Sequence, residues 1–139
     1  MRKFLIATHG TLARGVKSSL DLIIGSMEDV FLIEAYVSDN KSIEDELKIV
    51  MDNVKDGDEI VIFSDLLGGS VTNQILQYAL KENVHVVSGF NLPLLLDILL
   101  ADTDSPVAVV IENGINNAKD QIVYVNKLIA QKGEEGLDD

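Results

Sequence analysis

Short runs of apolar residues alternate along the chain with longer stretches in which apolar residues recur every three or four positions. The short runs predict β-strands at residues 2–8, 30–34, 59–64 and 84–88. The longer stretches predict a helix after each strand, because that spacing places the apolar side chains on one helical face. This repeated β-α order indicates an α/β fold, with a doubly wound, mostly parallel sheet and helices on both faces.

Helix starts are marked by residues whose side chains can accept a hydrogen bond from the first free backbone N–H groups. Ser42, with Asp45 three residues later, resembles a capping box. Asn91 is a predicted N-cap, and Pro93 fits the first turn of the helix that follows it. These signals support the division of the chain into four β-α units.

The last third of the chain allows two interpretations. Residues 107–111 are rich in β-branched side chains, which favours a strand. Pro106 before them is typical of a helix start, however, and the apolar residues that follow have helical spacing. We therefore predict a helix over residues 106–119, with Gly114 as its weak point. Residues 122–125 are then predicted to form a fifth, antiparallel strand at the edge of the sheet.

The length of 139 residues suits one domain, which we place at residues 1–132. Residues 133–139 are acidic and are expected to form a disordered tail. Because no apolar run approaches the roughly 18 residues of a membrane span, we expect a cytoplasmic protein without direct membrane insertion.

Charge and cysteine content exclude several classes of function. Eleven Lys and Arg residues against 23 Asp and Glu residues give a net charge of −12. This balance argues against nucleic acid or an anionic membrane as a partner, because both favour clustered basic residues. The absence of cysteine excludes disulfides, thiol catalysis and cysteine-ligated metals.

Residues whose side chains could take part in a reaction follow the predicted strands. Ligands of open parallel sheets bind beyond the carboxyl ends of the strands, where the strand order reverses. His9 follows the first strand and Asp65 the third, so the two face each other if these strands are neighbours. A carboxylate beside a neutral imidazole fixes the tautomer and stabilises the cation formed when the ring takes up an electrophile. Together with an anion-binding turn at Gly68-Gly69-Ser70, this pair predicts a phosphohistidine site.

Each of these residues also has an ordinary structural explanation. A histidine after a strand is more often a hydrogen-bonded structural residue, and an aspartate there is more often a turn former. Gly68 and Gly69 suit a tight turn, and Ser70 suits a helix N-cap. Their convergence on one sheet edge favours the functional interpretation. His85 opens the fourth strand, far from that edge, and is predicted to be structural, so the two histidines do not share a metal site.

Three segments carry a family resemblance, in the order FLIATHGTLARG, FSDLLGGSVTN and SGFNLPLL. They resemble motifs of the mannose-family enzyme IIA components of the bacterial phosphoenolpyruvate-dependent sugar phosphotransferase system. The resemblance covers about the first 130 residues, with the order and spacing of the motifs intact. One departure is Val71, where proline is expected. Proline would only pre-set the first helical turn, so the departure matters little.

The resemblance implies a phosphocarrier role in sugar uptake and phosphorylation. His9 would accept a phosphoryl group on Nε2 from the phosphohistidine of the protein HPr and pass it to a IIB component. Asp65 would hold the Nδ1 proton. No cofactor and no metal is implied. The residues placed around the phosphate are Gly68, Gly69, Ser70 and Thr11.

The resemblance also implies an assembly. Members of this family are similar to one another in forming homodimers that exchange the final strand, and residues 122–125 suit that role. Association with the IIC and IID membrane components would be indirect. Alternatives with the same chemistry are a regulatory domain whose phosphorylation is read by a partner, and the phosphotransfer subunit of a dihydroxyacetone kinase. A further alternative is a module that binds an anionic metabolite, with His9 as a ligand contact.

Overall fold

Four parallel strands form a central sheet in residues 1–136, which a computed structural model describes. In space the order is β2-β1-β3-β4, so the order reverses between the neighbours β1 and β3. This arrangement confirms the predicted doubly wound α/β fold and the pairing of the first and third strands. The strands are β1 (Arg2–His9), β2 (Val30–Ala35), β3 (Glu59–Ser64) and β4 (Val84–Ser88).

Helices connect the strands, and their predicted caps are present. The Ser42 hydroxyl accepts from the Asp45 N–H at 3.1 Å, and Asn91 Oδ1 accepts from the Leu94 N–H at 3.0 Å. Within residues 1–136, no helix combines the length and the apolar character needed to cross a membrane. The helices are α1 (Leu12–Ile24), α2 (Ile43–Asp52), α3 (Ser70–Ile75, continued by a 3-10 turn at Leu76–Tyr78), α4 (Leu92–Leu99), α5 (Val107–Asp120) and α6 (Val125–Gly136).

The sheet buries apolar side chains on both faces, because successive side chains of a strand point in opposite directions. On one face, Phe4 and Ile6 of β1 lie in the cluster that contains the buried residues of α1, α4 and α5. On the other face, Leu5 and Ala7 lie in the cluster of α2 and α3. Each fully buried Leu or Ile contributes about 1.5–3 kcal/mol relative to an exposed one, so these two layers fix the sheet and its carboxyl edge.

The C-terminal segment differs from its prediction. Residues 122–124 are not in a strand, and Val125 begins α6, so the predicted fifth strand at 122–125 is wrong for the single chain. The Tyr124 carbonyl accepts from the Lys127 and Leu128 N–H groups, which is the opening turn of a helix. Helix α6 continues to Gly136 and so includes the first residues of the expected tail, whereas residues 137–139 lie outside the described residues.

Candidate functional site

The ends of β1 and β3 bring His9 and Asp65 together, as their positions in the sequence predict. The His9 ring nitrogen Nδ1 lies 2.9 Å from Asp65 Oδ2. The backbone N–H of His9 donates to the same oxygen, also at 2.9 Å. One carboxylate oxygen therefore fixes both the backbone and the ring of the histidine.

The ionisation of Asp65 decides which ring nitrogen of His9 is free. Burial raises the pKa of the Asp65 carboxyl, but the hydrogen bonds from the backbone and ring of His9 lower it more, and the net pKa lies below its ordinary value. An ionised carboxylate can only accept hydrogen bonds, so Nδ1 carries the ring proton. In the neutral ring, Nε2 then carries the lone pair that can attack an electrophile.

The glycine-rich turn after Asp65 lies against the His9 ring. Ser70 begins α3, and its hydroxyl oxygen is 3.3 Å from His9 Nε2. A Cβ atom on Gly69 would lie 3.3 Å from His9 Cε1 and 3.4 Å from the Leu66 Cβ. Glycine at position 69 therefore lets the turn approach the ring closely.

The turn is held from behind by Thr72, a buried residue that the sequence reasoning did not single out. Its hydroxyl bonds the Ser64 hydroxyl at 2.7 Å and the carbonyl of Leu66. Since a carbonyl can only accept, the Thr72 proton goes to Leu66 and the Ser64 hydroxyl donates to Thr72. This bond pair fixes the path of the chain between β3 and α3.

Among residues 1–136, two of the predicted phosphate-binding residues, Thr11 and Gly68, form no hydrogen bond with the His9 ring. Thr11 is exposed, and among residues 1–136 its hydroxyl forms no hydrogen bond. The opening turn of α1 is bonded instead by Thr8, whose buried hydroxyl accepts from the Ala13 N–H at 2.9 Å. Gly68 adopts a φ of +77°, which the turn requires and which glycine tolerates. Nothing lies within 4 Å of the position that a Cβ atom of residue 68 would occupy.

The sequence reasoning missed Tyr36, which follows β2 at the same sheet edge. Its hydroxyl lies 2.7 Å from the Ser70 hydroxyl, and its ring centroid lies 5.9 Å from that of His9. The signal that could have found it is its position, because β2 is also a parallel strand that ends at this edge.

His85 lies outside this group. It is half-buried in β4, where it is paired in register with Val61 of β3. It comes three residues before the carboxyl end of β4, about 10 Å along the strand. The prediction that His85 is remote from His9 is confirmed, and this makes His85 a natural control for substitutions of His9.

Substitution of Gly69 with alanine is expected to slow any reaction at Nε2 by roughly 10-fold, because the new methyl group displaces the His9 ring from Ser70. Gly15→Ala in α1 is the matched control, since nothing lies within 4 Å of its Cβ position. That control should unfold at an equal or higher temperature and react normally. Rates from rapid quench and melting curves check both results. Equal rates for the two variants would contradict the close packing of Gly69 on the ring.

The fold and the site together define a class of protein: a doubly wound α/β domain with a histidine–aspartate pair and a glycine-rich turn at the switch point of the sheet. Residues 3–114 match the EIIA-man family, the PTS system fructose IIA component. The chain belongs to this family of sugar phosphotransferase system components. The resemblance drawn from the three sequence motifs is thereby confirmed.

Individual relatives agree with this family. The chain is 25% identical over 122 residues to the PTS system mannose-specific EIIAB component of Escherichia coli K12. The matched region covers 83% of this chain and 38% of that protein. The chain thus spans less than half of the length of the curated relatives it matches.

Solved structures share the fold along nearly the whole chain. A phosphoenolpyruvate-dependent sugar phosphotransferase system permease from Klebsiella pneumoniae has a TM-score of 0.87 and 30% identity, covering 92% of this chain and 93% of that one. A phosphotransferase system component EIIA from Streptococcus agalactiae has a TM-score of 0.78 and 30% identity, covering 91% and 99%.

Proposed function

We propose that this chain is a phosphocarrier of the sugar phosphotransferase system, which accepts a phosphoryl group on His9 from phospho-HPr and passes it to a IIB component. The observation that carries the proposal is the bond between His9 Nδ1 and Asp65 Oδ2, at 2.9 Å. It leaves Nε2 as the nucleophilic nitrogen, and the side chain of His9 is about one-third exposed, so a partner can reach it. The link to IIC and IID membrane components would run through the IIB component.

The transfer needs only positioning and electrostatic stabilisation. The Nε2 lone pair of His9 forms a bond to phosphorus while the phosphorus–nitrogen bond to the donor imidazole breaks, and the donor nitrogen recovers its electron pair. The Nδ1 proton stays in place, and the Asp65 carboxylate stabilises the positive charge that develops on the ring. We place the phosphoryl oxygens beside the turn at Gly68, Gly69 and Ser70; Thr11 joins this set by position in the sequence alone.

Apolar side chains at the same edge suit a protein partner. Leu12, Val37, Leu66 and Leu67 are exposed and belong to segments that follow β1, β2 and β3. Exposed apolar residues grouped around a site are typical of protein–protein contacts. The net charge of −12 favours a partner that presents basic residues around its own histidine and speeds the encounter at low salt.

The direct test is the intact mass of the protein after incubation with phosphoenolpyruvate, enzyme I and HPr. We expect one added phosphoryl group that is labile in acid and that disappears when a cognate IIB component is added. No added mass would overturn the proposal and favour a module that binds an anionic metabolite at the same crevice. Labelling that no IIB component removes would favour a regulatory domain.

We also propose a homodimer in which residues 122–125 pair with β4 of the partner subunit. Among residues 1–136, strand β4 has a neighbouring strand, β3, on one side only, so its outer edge offers free N–H and C=O groups. A groove beside it is lined by Leu67, Leu76, His85 and Ile111. The side chains of residues 122–125 are 43–77% exposed in the single chain, and pairing would cover them.

Sedimentation equilibrium tests this dimer. Val123→Asp should raise the dissociation constant at least tenfold, because it places a charge in the proposed strand pair. Leu22→Asp, on the exposed side of α1, is the matched control and should leave the dimer intact. A wild-type monomer, or equal dimer stability in both variants, would argue against the exchange.

A further inference from the structure

Tyr36 has a backbone conformation that large side chains rarely adopt. Its φ is +66°, and among residues 1–136 it is the one residue other than glycine with a positive φ. The segment is anchored just before it, where the Ala35 carbonyl accepts from the Gly10 N–H at 2.8 Å. Burial does not explain the conformation, because Tyr36 is 68% exposed. Unfavourable backbone conformations that persist in this way cluster at functional sites.

The conformation directs the Tyr36 side chain to the residues that flank Nε2. The Tyr36 hydroxyl lies 2.7 Å from Ser70 Oγ, which in turn lies 3.3 Å from His9 Nε2. The two rings are tilted by 31° with their centroids 5.9 Å apart. The two hydroxyls and the imidazole therefore form a continuous row.

The direction of each bond in this row follows from the number of protons available. Nδ1 donates to the Asp65 carboxylate, so Nε2 of the neutral ring can only accept. Ser70 must then give its single proton to Nε2. Because that proton is used, the Tyr36 hydroxyl must donate to Ser70 Oγ.

We propose that Tyr36 is a positioning residue for phosphoryl transfer at His9, acting through Ser70. Its donated hydrogen bond occupies the Ser70 lone pair and keeps the Ser70 proton directed at Nε2. When Nε2 forms its bond to phosphorus it stops accepting, and the same Ser70 proton then meets a phosphoryl oxygen. The inference rests on the proposed phosphocarrier role, and it adds to that role the residue that orients the serine.

Tyr36→Phe is the variant that isolates the hydroxyl, because phenylalanine keeps the ring beside His9. We expect transfer from phospho-HPr, followed by rapid quench, to slow by about 3–10-fold, the range for one lost hydrogen bond. In a Ser70→Ala background the same change should have no further effect, since the residue it acts through is absent. Tyr78→Phe, in the 3-10 turn, is the control and should react at the wild-type rate.

Nitrogen NMR of the His9 ring tests the row of hydrogen bonds without phosphorylation. Tyr36→Phe should move the Nε2 resonance and leave the Nδ1 resonance in place, and the movement should vanish in the Ser70→Ala background. An unchanged Nε2 resonance would overturn the proposal even in a protein that is phosphorylated normally. Unchanged transfer in Tyr36→Phe, or an equal slowing with and without Ser70, would overturn it too.

These results separate the inference from the function on which it rests. Failure of wild-type labelling by phospho-HPr rejects the phosphocarrier role, and the NMR shifts then decide whether Tyr36 orients Ser70. Normal labelling with identical Tyr36→Phe kinetics rejects the role of Tyr36 alone.

Discussion

Alanine in place of His9 is expected to abolish labelling by phospho-HPr completely. The change removes the Nε2 nucleophile, and neither Asp65 nor Ser70 is activated to replace it. The fold should persist, because the hydrogen bond from the backbone N–H of residue 9 to Asp65 does not need the ring. Intact mass spectrometry reports the labelling, and circular dichroism with thermal melting reports the fold.

His85→Ala is the matched control, because it removes the same ring from a half-buried position in β4. This variant should take up one phosphoryl group, as the wild type does. Labelling of the His9 variant at the wild-type level would place the phosphoryl group elsewhere and reject His9 as the acceptor.

Asp65→Ala should lower the rate of phosphoryl acceptance by roughly 100-fold or more, and by more than Asp65→Asn. The asparagine oxygen can take the place of Oδ2 and accept from both the backbone N–H and Nδ1 of His9, so this variant keeps the tautomer and loses only the negative charge. Alanine removes both bonds together with the charge, so it fixes neither the position nor the tautomer of the ring. Single-turnover rates for the two variants check the order, and an alanine variant that is as fast as the asparagine variant would reject orientation of the ring by Asp65.

The depressed pKa of Asp65 gives this pair a defined pH dependence. A group whose pKa is lower in the folded state contributes stability above its unfolded pKa, about 3.9 for aspartate, and loses it as the pH falls through the folded value. The difference in free energy of unfolding between wild type and Asp65→Asn should therefore shrink as the pH falls below about 4. Chemical denaturation at several pH values measures it. A difference that grows in acid would contradict the assigned ionisation.

The pairing of His9 with Asp65 was predictable, because it depends on which strands are neighbours and not on the detailed conformation of side chains. Parallel strands end at a common edge, so residues that follow β1 and β3 meet once these strands are neighbours. The helical spacing after Pro106 likewise predicted α5 to within a residue at each end. Gly114 was predicted to be the weak point of this helix, but in the structure it serves the packing of two helices. A Cβ there would lie 3.1 Å from the Ile98 side chain, so this glycine lets α4 and α5 pack closely.

The wrong strand at residues 122–125 and the overlooked Tyr36 both depend on tertiary contacts, which local sequence patterns do not report. A strand at residues 122–125 needs a pairing partner, and composition alone cannot say whether the same chain supplies one. Tyr36 reaches Ser70 through a positive φ, which tyrosine does not favour on its own and which tertiary contacts must impose.

Asp65 Oδ2 bonds both the backbone and the ring of His9, so it fixes the position of Nε2 relative to the end of β1. A histidine held in this way cannot swing between two docking positions, as a carrier on a flexible arm would. In the proposed relay, the donor and the recipient would each bring their own reactive atom to the same position beside Nε2. They would therefore compete for the same surface, and the two half-reactions would alternate, with each partner leaving before the other binds.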